Sequence, residues 1–285
     1  VLDRNRWRLL ASVALVVVVV VVVGRPGATE AAAGKVKTST RTGPARGLGG
    51  QLTSQLATEL GSDKEETAVA AAKRLGELGG PGAADALAAA LALGMRPAVA
   101  AQALTALGKI HDPRTLPVVS GWVGNTNVPV RIAAVKALGP MADARGVDLL
   151  IERLGDPANL VRAAAAEALA ARKERRAEKR LFLLVARNDG GAAGALGVVM
   201  APESVPRLAE LHGRIDDAVL ASALGEFIKR SEVPDRLRLD VVRTLGGLTD
   251  AVATAALVQY LASVPERDTR PSKEEAQKLL VQRGK

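Results

Sequence analysis

The chain has 285 residues, of which 48% are hydrophobic and only 2% aromatic, and it contains no cysteine. Its core must therefore be built from small aliphatic side chains, and disulfides, thiolate nucleophiles, iron–sulfur ligation and cysteine-based zinc sites are excluded. The net charge of +9 sits at one end, since residues 1–50 carry eight basic and two acidic side chains while residues 51–285 carry 31 and 28.

Arg4, Arg6 and Arg8 open the chain beside Trp7, and Leu9 to Val23 then run apolar, interrupted only by Ser12. A basic start followed by an apolar run is the pattern of an export segment. As a helix, Leu9–Gly24 would span roughly 24 Å, somewhat short of a hydrocarbon core of about 30 Å. Residues 1–24 are expected to be a retained signal anchor, with a cleaved signal peptide, a buried strand or a mis-set start as alternatives. Arg25-Pro26 directly follows the run and the small-residue stretch Ala31-Ala32-Ala33 lies well beyond it, which favours retention. The body is then expected to be membrane-anchored outside the cytoplasm, periplasmic or at the cell surface, or secreted if the segment is removed. Orientation stays open because Arg25, Lys35, Lys37, Arg41 and Arg46 follow the run as well. Residues 25–50, rich in Gly, Pro, Ser, Thr and charge, read as a disordered basic linker.

From residue 51 the text changes to Ala- and Leu-rich segments closed by Gly, Pro, Asp or Asn, with helical spacing and no strand-like alternation. Leu75, Leu107, Leu138 and Leu169 recur at intervals of 32, 31 and 31. Four positions before each stands an alanine (Ala71, Ala103, Ala134, Ala165), and eight before stand Thr67, Val99, Val130 and Val161. Such positions share one helical face. Between these helices the pattern predicts others over 83–93, 116–123 and 147–154. A helix pair of this size cannot bury its stripe alone, and stacking pairs solves the problem. The punctuation agrees: Asp112-Pro113 and Asp156-Pro157 read as helix starts, and Gly76, Gly108 and Gly139 as C-caps. Later leucines at 196, 224 and 245 are spaced 27, 28 and 21, implying a phase slip near Ser231–Asp235. The glycine-laden residues 188–200 predict a short or distorted unit. The expected fold is all-α, an α-solenoid of six or seven helix pairs over 51–285, looser after 187, closed by a helix over 250–263 and a polar one over 272–281.

Residues 128–170 (VPVRIAAVKALGPMADARGVDLLIERLGDPANLVRAAAAEALA) resemble HEAT repeats, in the short form of the phycobilisome-lyase-like group. The family pattern D-x-x-x-x-V-R-x-x-A-x-x-A-L-G is matched at Asp156, Val161, Arg162, Ala165, Ala168 and Leu169, and one unit earlier at Val130, Arg131, Ala134, Ala137, Leu138 and Gly139. Ala68 and Ala100 replace the family arginine in the first two units, and Ala170 replaces the glycine in the fourth. The resemblance implies that Arg131 and Arg162 form a ladder bonding the adjacent repeat. Alternatively they contact an acidic ligand on the concave face.

The run RKERRAEKR at 172–180 reads as a solvated helix surface with an Arg175–Glu178 pair, or as a docking site for an acidic partner. Arg131, Arg162, Arg172, Lys173, Arg175 and Arg176 are thus the candidate partner-binding residues. His111 and His212 stand at helix ends, where dipole and cap account for them, and no cofactor, metal or catalytic group is expected. Trp122, Phe182, Phe227 and Tyr260 are too few for base-stacking platforms, and a nearly neutral body is weak evidence for nucleic acid. The expected function is a non-catalytic, membrane-tethered scaffold binding a protein or peptide through its concave helical face. The alternatives are an accessory subunit of a bilin-lyase-like enzyme or a HEAT-type nucleic-acid-binding protein.

Overall fold

The computed structural model describes residues 48–140 and 143–284. The apolar run Leu9–Val23 and the linker up to residue 47 lie outside them. Fifteen α-helices occupy the described residues: α1 (Leu48–Leu60), α2 (Glu65–Leu78), α3 (Gly80–Leu93), α4 (Pro97–Ile110), α5 (Leu116–Trp122), α6 (Val128–Leu138), α7 (Ala144–Arg153), α8 (Asn159–Ala171), α9 (Glu178–Val185), α10 (Gly190–Val199), α11 (Val205–Ala209), α12 (Asp217–Ile228), α13 (Asp235–Gly247), α14 (Ala251–Ser263) and α15 (Pro271–Arg283). No helix among them is long and apolar enough to cross a membrane. The first helix starts inside the stretch expected to be linker.

Even-numbered helices α2 to α14 pack each on the next in one row, and odd-numbered helices cover them in a second. The anchor leucines at 75, 107, 138 and 169 and the alanines four before them are fully buried, so each stripe is completed by neighbouring helices. Burying one such leucine contributes about 1.5–3 kcal/mol. The stack holds seven helix pairs, and α15 closes it against α13 and α14.

The glycines after the anchors do something other than expected. Gly76 lies inside α2, Gly108 inside α4, and Gly139 follows α6 with φ −47°, so none is a left-handed cap. Each instead faces the alanine preceding the next anchor. A Cβ on Gly76 would lie 2.7 Å from the Ala106 Cβ, and one on Gly108 would lie 3.0 Å from the Ala137 Cα. These are contacts of close helix approach. The glycine-rich unit is, as expected, short: its helix α10 has ten residues and is the shortest of the even row, though it is regular. Its glycines do not distort it but let α8 and α12 press close: a Cβ on Gly191 would lie 2.9 Å from the Ala163 Cβ, and one on Gly197 would run into the Ala223 carbonyl oxygen.

Leu245 is a second correction, since it belongs to α13 in the odd row. The even row continues through Leu257 of α14, 33 residues after Leu224, so the interval of 21 is not a phase slip in that row. Even-row neighbours touch along their lengths, whereas α7, α9 and α11 barely meet one another. Two rows of unequal spacing must bend toward the tighter one. The even row therefore lines the concave side, and the odd row is opened into clefts on the convex side.

Candidate functional site

Along one edge run the turns joining each odd helix to the following even one. Arg131 Nε and Nη2 donate to the two carboxylate oxygens of Asp156 at 2.9 Å each, and its Nη1 donates to the Asn125 and Thr126 carbonyls of its own turn. One turn on, Arg162 Nε donates to Asp189 at 2.6 Å while Nη1 holds the Asp156 and Pro157 carbonyls. The series continues with other chemistry. Asn188 and Asp216 bond each other, and Thr249 donates from backbone and hydroxyl to Asp217. At the start of the stack, where Ala68 and Ala100 stand in place of arginine, Arg96 donates to the Ser62 and Asp63 carbonyls at 2.8 Å. Arg131 and Arg162 are thus rungs of a ladder.

Asp156 opens a turn rather than capping α8. Its Oδ1 accepts from the Ala158 N–H, the residue immediately before α8. Burial pushes its carboxyl up, but the Arg131 guanidinium, the Ala158 N–H and the nearby Arg153 outweigh this and hold it below the ordinary value. Asp112 does cap, accepting from the Arg114 N–H at the start of a 3-10 turn.

The opposite edge holds the run 172–180. Arg172 Nη1 donates to the Gly139 carbonyl at the end of α6, and Arg230 Nη1 holds the Met200 carbonyl at 2.6 Å near the end of α10. Guanidinium groups there meet the negative ends of helix dipoles. The run is not one helix: Lys173 is left-handed at φ 52°, residues 175–177 form a 3-10 turn, and α9 starts at Glu178. Glu178 does not pair with Arg175 but accepts from the Ala201 N–H and the Ser204 hydroxyl. Arg176 is bound to Glu174 and to Asp148 at 3.0 Å. The Glu174 carboxyl is held below its ordinary value mainly by the Arg176 side chain. Of the six residues singled out by sequence, Lys173 and Arg175 are exposed and have no acid in salt-bridge contact.

On the convex side α9 stands between two clefts. One, of about 470 Å³, opens toward α7 beside Arg162, Arg180 and Arg187; the other, of about 440 Å³, opens toward α11 beside Arg175, Lys179 and Arg207. Leu183, 44% exposed, is the ridge they share. Arg207 lies over the Phe182 ring, 4.3 Å from its centre. Sequence reasoning stopped at residue 180 and missed this extension, though the four-residue spacing of Lys179 and Leu183 places them on one face of α9.

His111 is the left-handed residue ending α4, its N–H bonded to the Leu107 carbonyl, as a capping role requires. Among the described residues no group of three His, Cys, Asp or Glu side chains could hold a metal. The family model described as HEAT repeats matches residues 92–170. Residues 92–170 are thus similar to HEAT repeats. The rest of the solenoid continues their stacking geometry on both sides.

Several solved structures are similar to this chain. The complex of CpcE and CpcF of phycocyanin lyase from Nostoc sp. PCC7120 is 20% identical with a TM-score of 0.45, covering 90% of this chain and 99% of that one. Human deoxyhypusine hydroxylase in complex with glycerol is 22% identical with a TM-score of 0.38, covering 81% and 96%. A designed armadillo repeat protein is 16% identical with a TM-score of 0.35, covering 79% and 98%. Among curated proteins, none matches this chain.

Proposed function

We propose that this protein is a non-catalytic, membrane-tethered HEAT-repeat scaffold, held outside the cytoplasm, whose concave face binds another protein or an extended peptide. One observation carries the reading. Two positions before each anchor, the solvent face of the even row reads Lys73, Thr105, Lys136, Glu167, Gly194, Ser222 and Ala255, a continuous strip across all seven even helices. Its second half offers only small neutral side chains, over which a partner's main chain can run closely, while its first half offers charges of both signs. Recognition of this kind needs shape and scattered polar contacts but no reactive group. The tether is Leu9–Val23.

The test is cross-linking of the full chain in its native membranes, comparing the natural sequence with Ser222→Arg plus Ala255→Arg. A partner captured by the first and lost by the second supports the reading. Identical capture by both, or none by either, overturns it. Location is read separately with a C-terminal reporter active only after translocation, and silence there counts against the tethered, exported placement.

A further inference from the structure

The convex clefts at α9 are a surface distinct from the concave strip, and their chemistry is one-sided. Arg175, Lys179, Arg180, Arg187 and Arg207 approach no carboxylate within ion-pair distance among the described residues. The acids that line the two clefts or border them at α7 and before α9 are already engaged: Asp156 by Arg131, Asp189 by Arg162, Glu174 and Asp148 by Arg176, and Glu178 by Ser204 and the Ala201 N–H. Like charges gathered around one eight-residue helix repel one another, and no ion pair among the described residues offsets them. Leu183 stands exposed in their midst.

We propose that α9 and its two flanking clefts are a docking site for an acidic peptide segment carrying a large apolar side chain. Carboxylates enter the clefts on both sides, and the apolar side chain covers Leu183. A helix with its side chains is about 10 Å across, the reach of roughly three extended residues, so an eight-residue segment is long enough to cross α9 and enter both clefts. A nucleic acid fits less well. Phe182 is buried under Arg207 and presents no stacking face, and residues 51–285 carry 31 basic against 28 acidic side chains, so the cationic field is confined to α9.

The experiment uses the full chain and a fluorescein-labelled octapeptide, Glu-Asp-Glu-Leu-Leu-Glu-Asp-Glu, followed by fluorescence anisotropy at low and physiological salt. Saturable binding is expected, weakening with salt, and weakening about tenfold in Lys179→Glu plus Arg207→Glu and again in Arg180→Gln plus Arg187→Gln, as loss of two exposed ion pairs predicts. Replacing the peptide's two leucines by glycine is expected to cost several-fold. Circular dichroism checks that the variants stay helical, and the milder glutamine pair serves if the charge reversal does not fold. Ser222→Arg on the concave strip should leave the peptide's affinity unchanged, so failure here and failure of the concave reading are separately visible. No saturable binding, an affinity in both charge variants unchanged from that of the natural sequence, or tighter binding of a single-stranded oligonucleotide of equal charge overturns the proposal.

Discussion

Arg131 and Asp156 form the least exposed ion pair of the ladder, with side chains 10% and 2% exposed. Each satisfies the other completely on one flank, and Arg131 also holds two carbonyls of its own turn. Removing one partner leaves the other charged, buried and unmatched. Arg131→Met is therefore expected to lower unfolding stability by about 3–5 kcal/mol in urea titration. Exposed Arg175→Met should change it by less than about 0.5 kcal/mol. The pair also fixes a direction with pH. Asp156 has a folded pKa below its ordinary value of 3.8, so its contribution is fully present above that value and is lost as pH falls through the folded one. The urea midpoint should fall between about pH 5 and pH 2, and Asp156→Asn should flatten that fall while being less stable at neutral pH. An unchanged slope in the variant would remove Asp156 from the account.

Helices set the next scale, and α10 shows two glycines of opposite meaning. A Cβ at Gly197 would run into the Ala223 carbonyl oxygen and stand 3.0 Å from the Phe227 nitrogen, both backbone atoms of α12. A Cβ at Gly194 would meet only the Glu226 Cγ at 3.7 Å, an ordinary contact. Gly197→Ala should therefore destabilise by about 1–3 kcal/mol through overpacking. Gly194→Ala should stabilise by about 0.5–1 kcal/mol, because alanine loses less backbone freedom in a helix. Equal shifts of one sign in urea titration would contradict close approach as the role of Gly197. The stripes themselves were legible in sequence, because spacings of four and eight around Leu75, Leu107, Leu138 and Leu169 are local. Row membership was not. Leu245 follows Val241 and Val242 and precedes Gly246 much as an even-row anchor would, yet Gly246 faces Leu279 of α15. Which neighbour buries a stripe is decided by packing across some thirty residues, which local spacing does not encode. The same holds for the candidate site. Basic residues at 172–180 were visible, but only folding separates Arg172 and Arg176, held by the Gly139 carbonyl and by Asp148, from Arg175 and Lys179, which line a cleft with no acid in ion-pair contact.

For the molecule as a whole, the core is a row of nearest-neighbour interfaces with no single centre. Each even helix rests on the one before and the one after, and contacts skipping a pair are minor. Stability should then be a sum of units and interfaces, with the ends as special cases. At the C-terminal end α15 presents Glu274, Gln277 and Lys278 while burying Ser272, Lys273 and Ala276. It is half of a further pair, turned polar outside. The Tyr260 hydroxyl, Ser272 and Asp235 bond in series and lock α15 to both α14 and α13. Two truncations separate this picture from that of a globular domain with one core. Ending the chain after residue 234 removes α13, α14 and α15 together and should leave a shorter stack. Its helical circular dichroism should fall in proportion to the residues lost, with a smaller urea dependence of unfolding, since less surface is exposed. Ending it after residue 264 removes α15 alone and uncovers the apolar flank of α13 and α14, including Tyr260, 1% exposed in the intact chain. That longer product should be the more prone to aggregate, because a terminal unit without a polar outer face leaves an interface open. Complete loss of helical signal on ending after residue 234 would mean that the pairs do not fold as units.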